Sequence, residues 1–224
     1  MKVFRNIFIV LLTLIGSIQA DMGPYDWAYV HLNALRDEKV KQLEGFYERI
    51  HTLAANAAVD AAMVNFFELN LRYYQSTKED TPPQELTRTI DELHGVFQEI
   101  YIRNWLSFYD ILFVSMEGDL FYSIRKEIDL NTNIINNDDY DRLISDCIKN
   151  KPDKECYIDF HLYSPSNEPA SFFIEPVFKD DQQIGWLILQ LAINKVNSFF
   201  TGTESLGTSC ETILVNRKGY MLTD

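Results

Sequence analysis

From Asp26 to about Leu71, apolar residues return at three- and four-residue steps: Leu32, Leu35, Leu43, Phe46, Ile50, Leu53, Ala57 and Ala61, with Lys39 in the same stripe. After Tyr109 the step falls to two. The first period buries one stripe of a helix and the second buries one face of a strand, so the chain must be helical first and sheet-forming afterwards. Between them "STKEDTPPQ" carries two prolines, which remove backbone donors and forbid helical continuation at Thr81. The spacing predicts one long amphipathic helix over 26–71 and a second over 85–107. Asp37, Glu38, Lys41, Glu44, Glu48 and Arg49 fall on the opposite side of the long helix and read as a solvated face, with Tyr47 the exception.

In "YDILFVSMEGDLFYSIRKEID" an apolar strand, a turn at Glu117-Gly118-Asp119 and a second strand form a β-hairpin, with Phe121 and Ser123 facing one way and Tyr122 and Ile124 the other. "LNTNIINNDDYDRLISD" reads as a polar loop feeding a short helix. Two further strands, "ASFFIEPVF" and "IGWLILQLAI", are joined by the turn-like "KDDQQ". "ETILV" and "YMLTD" flank a tight turn at "NRKG" near the end. The order helix, helix, hairpin, short helix, hairpin gives an α+β fold, an antiparallel sheet with helices packed on it.

Lys2 and Arg5 precede an apolar run from Ile7 to Ile18, the pattern of a cleaved signal peptide or, if retained, a signal anchor over residues 1–20. Export predicts a periplasmic domain, either anchored to the inner membrane or released. It also lets thiols pair. Cys147 and Cys156 flank the loop "IKNKPDKE" and either form a disulfide or remain, with Cys210, free thiols. With 20 Lys and Arg against 33 Asp and Glu, the net charge of −13 repels a phosphate backbone and excludes nucleic acid as a partner.

Catalytic chemistry is missing from the sequence. His31, His51, His94 and His161 have no metal-binding spacing, and neither a nucleophile elbow nor a phosphate-cradling glycine loop occurs. Asn137, Asp139 and Asp141 alternate like a calcium loop, but Arg142 stands where the turn glycine belongs. The reading is a non-enzymatic chain without cofactor or metal.

Several stretches in one order resemble the double Cache family, the extracytoplasmic sensory domains of bacterial chemoreceptors and other transmembrane signalling proteins. They are the long helix "LNALRDEKVKQLEGFYERIHTLAANAAVDAAM", the hairpin with Gly118 and Tyr122, "KEIDLNTN", "YSPS…PASFFIEPVF" and "LGTSCETILVNRKGYMLTD". The resemblance implies a long helix over 21–80, a membrane-distal Cache (PAS-like) module over 81–200 and the start of a truncated membrane-proximal module over 201–224. It further implies a small-molecule ligand held between sheet and covering loops, output through a chemotaxis, kinase or cyclase partner domain, and homodimer formation through the long helix. The R-x-W-Y arrangement of the amino-acid-binding members is absent as such, so an amino-acid ligand is not implied.

The ligand candidates are Tyr122, Tyr163 and Phe172 as flat apolar surfaces, polar-tipped in the two tyrosines, Asp159, Ser164 and Ser166 as directed hydrogen-bonding groups, and Asp159 or Glu175 as counter-charge to an amine. The same aromatics suit a plain core, and "SPSNEP" suits a plain turn. The alternative to a receptor domain is a free-standing periplasmic or secreted ligand-binding protein.

Overall fold

The structure is a computed structural model that describes residues 8–13, 24–79, 83–104, 108–136, 142–200, 210–215, 219 and 221. Two compact units divide these, one from Ile50 to Ala192 and one made of the residues up to Arg49 with those from Ile193 onward.

Helix α1 (Pro24–Val59) stops short of the predicted end, and α2 (Ala61–Thr77) follows it. The break is chemical. Asp60 adopts an extended conformation, φ −65° and ψ 126°, and its carboxylate accepts a hydrogen bond from the Met63 amide at 3.0 Å. An aspartate three residues before an amide that needs a partner is an N-cap, and it divides the single helix that periodicity predicts. Helix α3 (Gln84–Phe97) starts directly after Pro83 and runs into a π-helical turn, Gln98–Asn104. The remainder of the predicted second helix, 105–107, lies outside the described residues.

The sheet of the first unit comprises β2 (Asp110–Ser115), β3 (Leu120–Ser123), β4 (Cys156–Tyr163), β5 (Glu168–Lys179) and β6 (Gln182–Ala192), in the order β3-β2-β6-β5-β4 with antiparallel neighbours. Strand β4 has no place in the sequence-derived order. A bulge between Ile158 and His161 breaks its alternation, so its buried residues do not fall at every second position. Asp180 and Asp181, φ 50° and 63°, form the tight β5–β6 turn expected at "KDDQQ".

Each face of this sheet has its own cover. On one, Phe66 and Phe67 of α2 meet the Phe113 ring at 5.8 and 4.8 Å between centroids. A bulge between Phe113 and Val114 turns Phe121 as well as Tyr122 toward α2, at 5.2 Å from Phe67 and Phe66 respectively, which corrects their predicted opposite orientations. On the other face, Ile144, Cys147 and Ile148 of α4 (Arg142–Asn150) pack with Leu112, Val114, Ile174 and Ile188. Cys147 and Cys156 are disulfide-bonded, Cα to Cα 6.3 Å, joining α4 to the start of β4.

In the second unit, Leu43, Phe46 and Tyr47 of α1 are buried and Phe46 meets Phe199 at 5.0 Å, while the predicted solvated charges are exposed. Helix α5 (Ile193–Asn197) and β7 (Cys210–Val215) belong here. Of the predicted leader, only β1 (Phe8–Thr13) is described; it runs antiparallel to β7, from Phe8 opposite Val215 to Thr13 opposite Cys210. The leader's charged end and cleavage region, and residues 201–209, lie outside the described residues, and of the last predicted strand only a bridge from Met221 to Val215 is described. Among the described residues no helix is long and apolar enough to cross a membrane.

Two glycines should respond oppositely to alanine. At Gly185, φ 153°, a Cβ would stand 2.2 Å from the Val114 carbonyl oxygen and 2.7 Å from the Phe67 ring, whereas at Gly95 within α3 it would meet nothing within 4 Å. Urea unfolding should find Gly185→Ala destabilised by about 2–4 kcal/mol, and Gly95→Ala more stable by about 0.5–1 kcal/mol.

Candidate functional site

Most of β6 is apolar because both its edges are paired and both its faces are covered, yet it carries Gln190, which is 1% exposed. Gln190 lies opposite Asp110 of β2 on one side and Phe172 of β5 on the other. These three form one cross-strand row on the α4 side of the sheet, at the end where β2 begins and β6 finishes.

The segment after β3 brings more carboxylates to this row. Asp110 accepts hydrogen bonds from Ser123 Oγ at 2.6 Å and from the Ile111 and Arg125 amides at 2.7 and 3.1 Å. Glu127 accepts from the Tyr109 hydroxyl at 2.9 Å, and Asp129 accepts from the Tyr163 hydroxyl. The Tyr163 ring lies edge-on to Phe172 at 4.8 Å, and Gln190 Nε2 donates to Ser166 Oγ at 3.4 Å. Asp129 Oδ1 and Gln190 Oε1 are buried with no hydrogen-bond partner among the described residues.

Electrostatically this is an excess of acceptors. Burial pushes Asp110 up to about 7 in spite of its three donors, and the Glu127 charge adds to the rise. Burial also raises Glu127, whose Tyr109 bond opposes it while the Asp129 and Glu168 charges reinforce it, and raises Asp129 against its Tyr163 bond. Tyr109 is held at about 12 by burial and by Glu127. The Arg125 charge partly opposes the rise at Glu127, but its side chain is exposed and engaged with Tyr109: its Nε donates to the Tyr109 carbonyl at 3.0 Å, and its guanidinium lies 4.2 Å from the Tyr109 ring centre. Asp110 and Asp129, buried and without a cation bonded to either, favour either a proton or a positively charged guest. Among the described residues no group of His, Cys, Asp or Glu is arranged to hold a metal ion.

Of the sequence-derived candidates, the structure brings Tyr163, Ser166 and Phe172 into this cluster. Ser164 is in the same β4–β5 turn, where its carbonyl accepts from the Asn167 amide at 3.2 Å. The others lie elsewhere. Tyr122 faces the helices, with its hydroxyl 2.8 Å from His94 Nδ1. Glu175 shares the row of Leu187 and Phe113 on that same helix-covered face, and is pushed up to about 7 by burial and then by the Glu155 charge. Asp159 is exposed at the β4 bulge and accepts from its neighbouring Phe160 amide at 2.8 Å. Sequence reasoning missed Asp110, Glu127, Asp129 and Gln190. Their signal was present: a glutamine inside "WLILQLAI" and an aspartate opening "DILFVS" are polar residues where a covered strand has no use for them. Arg103-Asn104-Trp105-Leu106 also departs from R-x-W-Y only at its last residue, and these side chains lie outside those described.

No protein-family model matches the chain, and no curated protein is similar to it in sequence. Solved structures are similar in fold. The sensor domain of the Vibrio cholerae histidine kinase DctB superposes with a TM-score of 0.54 at 10% identity, covering 80% of this chain, which spans 61% of that domain. The ligand-binding domain of the Pseudomonas aeruginosa amino-acid chemoreceptor PctC, in complex with GABA, gives 0.53 at 15% identity, with 87% and 74% covered. The extracellular domain of vpHK1S-Z8, described as a histidine kinase, gives 0.61 at 12% identity, with 92% and 72% covered. The chain has the fold of the sensory domains of histidine kinases and chemoreceptors, the architecture that its resemblance to double Cache domains implies.

The raised carboxyls fix a pH dependence. The folded state holds the Asp110 proton up to about 7, whereas an unfolded aspartate gives it up near about 4. Across that window the folded chain binds more protons, so stability must fall as pH rises from about 4 to about 7 and then level off. Glu175, Glu127 and Asp129 act in the same direction. Melting should therefore move to lower temperature between pH 5 and pH 8, with a smaller change in Asp110→Asn; an equally steep profile in that variant would remove Asp110 from the cluster's titration.

Proposed function

We propose that this chain is the extracytoplasmic sensing domain of a transmembrane signal-transduction receptor of the chemotaxis or kinase and cyclase type, and that it binds a small molecule carrying an ammonium group. The carrying observation is the acceptor-rich cluster of buried Asp110, Asp129 and Gln190 with half-buried Glu127 at its side, which among the described residues has no buried cation. An ammonium supplies three donors and a positive charge, the two things these residues lack. Phe172 and Tyr163 provide a flat apolar wall beside it. The related fold of PctC holds GABA, itself a primary amine, which supports the same ligand chemistry here.

On this reading the chain does no catalysis and lies in the periplasm, held at the inner membrane by residues 1–20 or released after their cleavage. The outer charge of α1 is in keeping with a solvated helix that pairs, if at all, through its apolar residues. A free-standing periplasmic binding protein is the second reading and uses the same site. The net charge of −13 favours the approach of a cation in either case.

A thermal-shift panel of primary amines, dicarboxylates, sugars and nucleobases tests the ligand class. An amine at about a hundred times its Kd should add roughly 2.7 kcal/mol, a rise of about 5–10 °C for a domain of this size. The shift should disappear in Asp129→Asn and weaken as the pH is lowered through about 7, where Asp110 gains its proton. Shifts from sugars or dicarboxylates with none from amines would overturn the assignment.

A further inference from the structure

Beyond the acidic cluster, the helix-covered side of the first unit contains a cavity of about 260 Å³. Asn70 and Tyr73 of α2, Asp91 and His94 of α3, Tyr122 of β3 and Lys126 beyond it supply the chemistry of its wall. Its character is opposite to that of the acidic cluster. Lys126 is exposed and makes no ion pair with another described residue, and its backbone is left-handed, φ 56°. Burial lowers the affinity of the His94 imidazole for a proton, the Lys126 charge lowers it further, and Asp91 raises it. The Tyr122 hydroxyl engages His94 Nδ1, which leaves Nε2 for another partner. Asn70 donates its amide to the Phe66 carbonyl at 2.8 Å, and Tyr73 and Tyr122 give the cavity aromatic walls.

We propose that this cavity is a second ligand site, which takes a small monocarboxylate with an apolar body, its carboxylate between Lys126 and His94 and its body against Tyr73 and Tyr122. Asp91 on the same wall disfavours a second negative charge and so excludes dicarboxylates. The two sites are distinct in location: Tyr122 faces the helices, while Asp110, Gln190 and Phe172 face the α4 side. Ser123 lies between them, lining the cavity while its hydroxyl is donated to Asp110.

Benzoate and butyrate are the probes, titrated into the full chain by calorimetry and followed through the His94 ring protons by NMR. Benzoate should bind below about 10 mM. Lys126→Asn, which preserves a residue tolerant of left-handed backbone, should weaken it about tenfold or more. Asp91→Asn, at an exposed position, should tighten it by about twofold to fivefold. Asp129→Asn should leave it unchanged, which separates this site from the amine site. No binding, a Kd indifferent to both Lys126→Asn and Asp91→Asn, or loss of binding in Asp129→Asn would each overturn the proposal.

Discussion

Strand β6 is hydrogen-bonded along both edges and covered on both faces, and the positions of the other elements follow from that enclosure. Its residues Leu187, Leu189 and Leu191 point to the helices, and Trp186, Ile188 and Gln190 to α4 and the loops. Burial of this kind fixes register strongly, because a slip of one residue would send Gln190 into the phenylalanine cluster and a leucine into the acidic row. The close approach of Gly185 to the Val114 carbonyl and the Phe67 ring secures the other end of the same strand. An acidic cluster on one face and a cavity bearing Lys126 and His94 on the other therefore coexist within a few residues of sequence.

The acidic row illustrates how a fold can hold polar groups at the expense of its own stability. Desolvating Asp110, Glu127 and Asp129 opposes folding unless each is protonated or paired. The chain offsets part of that cost with hydroxyls from Ser123, Tyr109 and Tyr163 and the Arg125 amide, and only at Glu127 with the charge of an arginine side chain. Polar groups in an interior that is otherwise dry are more informative about use than the aromatic residues around them, which pack the core whatever the protein does.

The division into helices and sheet was legible because hydrophobic period is a local property: the three- and four-residue steps before Leu71, the prolines at 82 and 83 and the alternation after Tyr109 each act on their own segment. What sequence left unread was set by tertiary partners. The helix break at Asp60 depends on one side chain reaching the Met63 amide, and the facing of Phe121 depends on a bulge two strands wide. Strand β4 escaped because its own bulge interrupts alternation. In the cluster, Tyr163 and Phe172 were legible as flat aromatic surfaces, whereas Asp159 and Glu175 were chosen for charge alone, and charge does not say which face of a strand a residue occupies.

The bond between Cys147 and Cys156 bears on kinetics as well as on strength. It closes a short loop and adds roughly 2–3 kcal/mol in the chain-entropy account, but its larger effect is to fasten the helix that covers one side of the sheet to the strand at the sheet's edge. A cover fixed in this way cannot swing away as a flap. The other covers of that face, 127–133 and 164–167, are held by hydrogen bonds instead, such as those from the Asn131 amide to the Leu120 carbonyl and from Gln190 to Ser166. Reducing the thiols would let that helix move independently of the edge strand, so the redox state of the surroundings sets how firmly this side of the sheet stays closed.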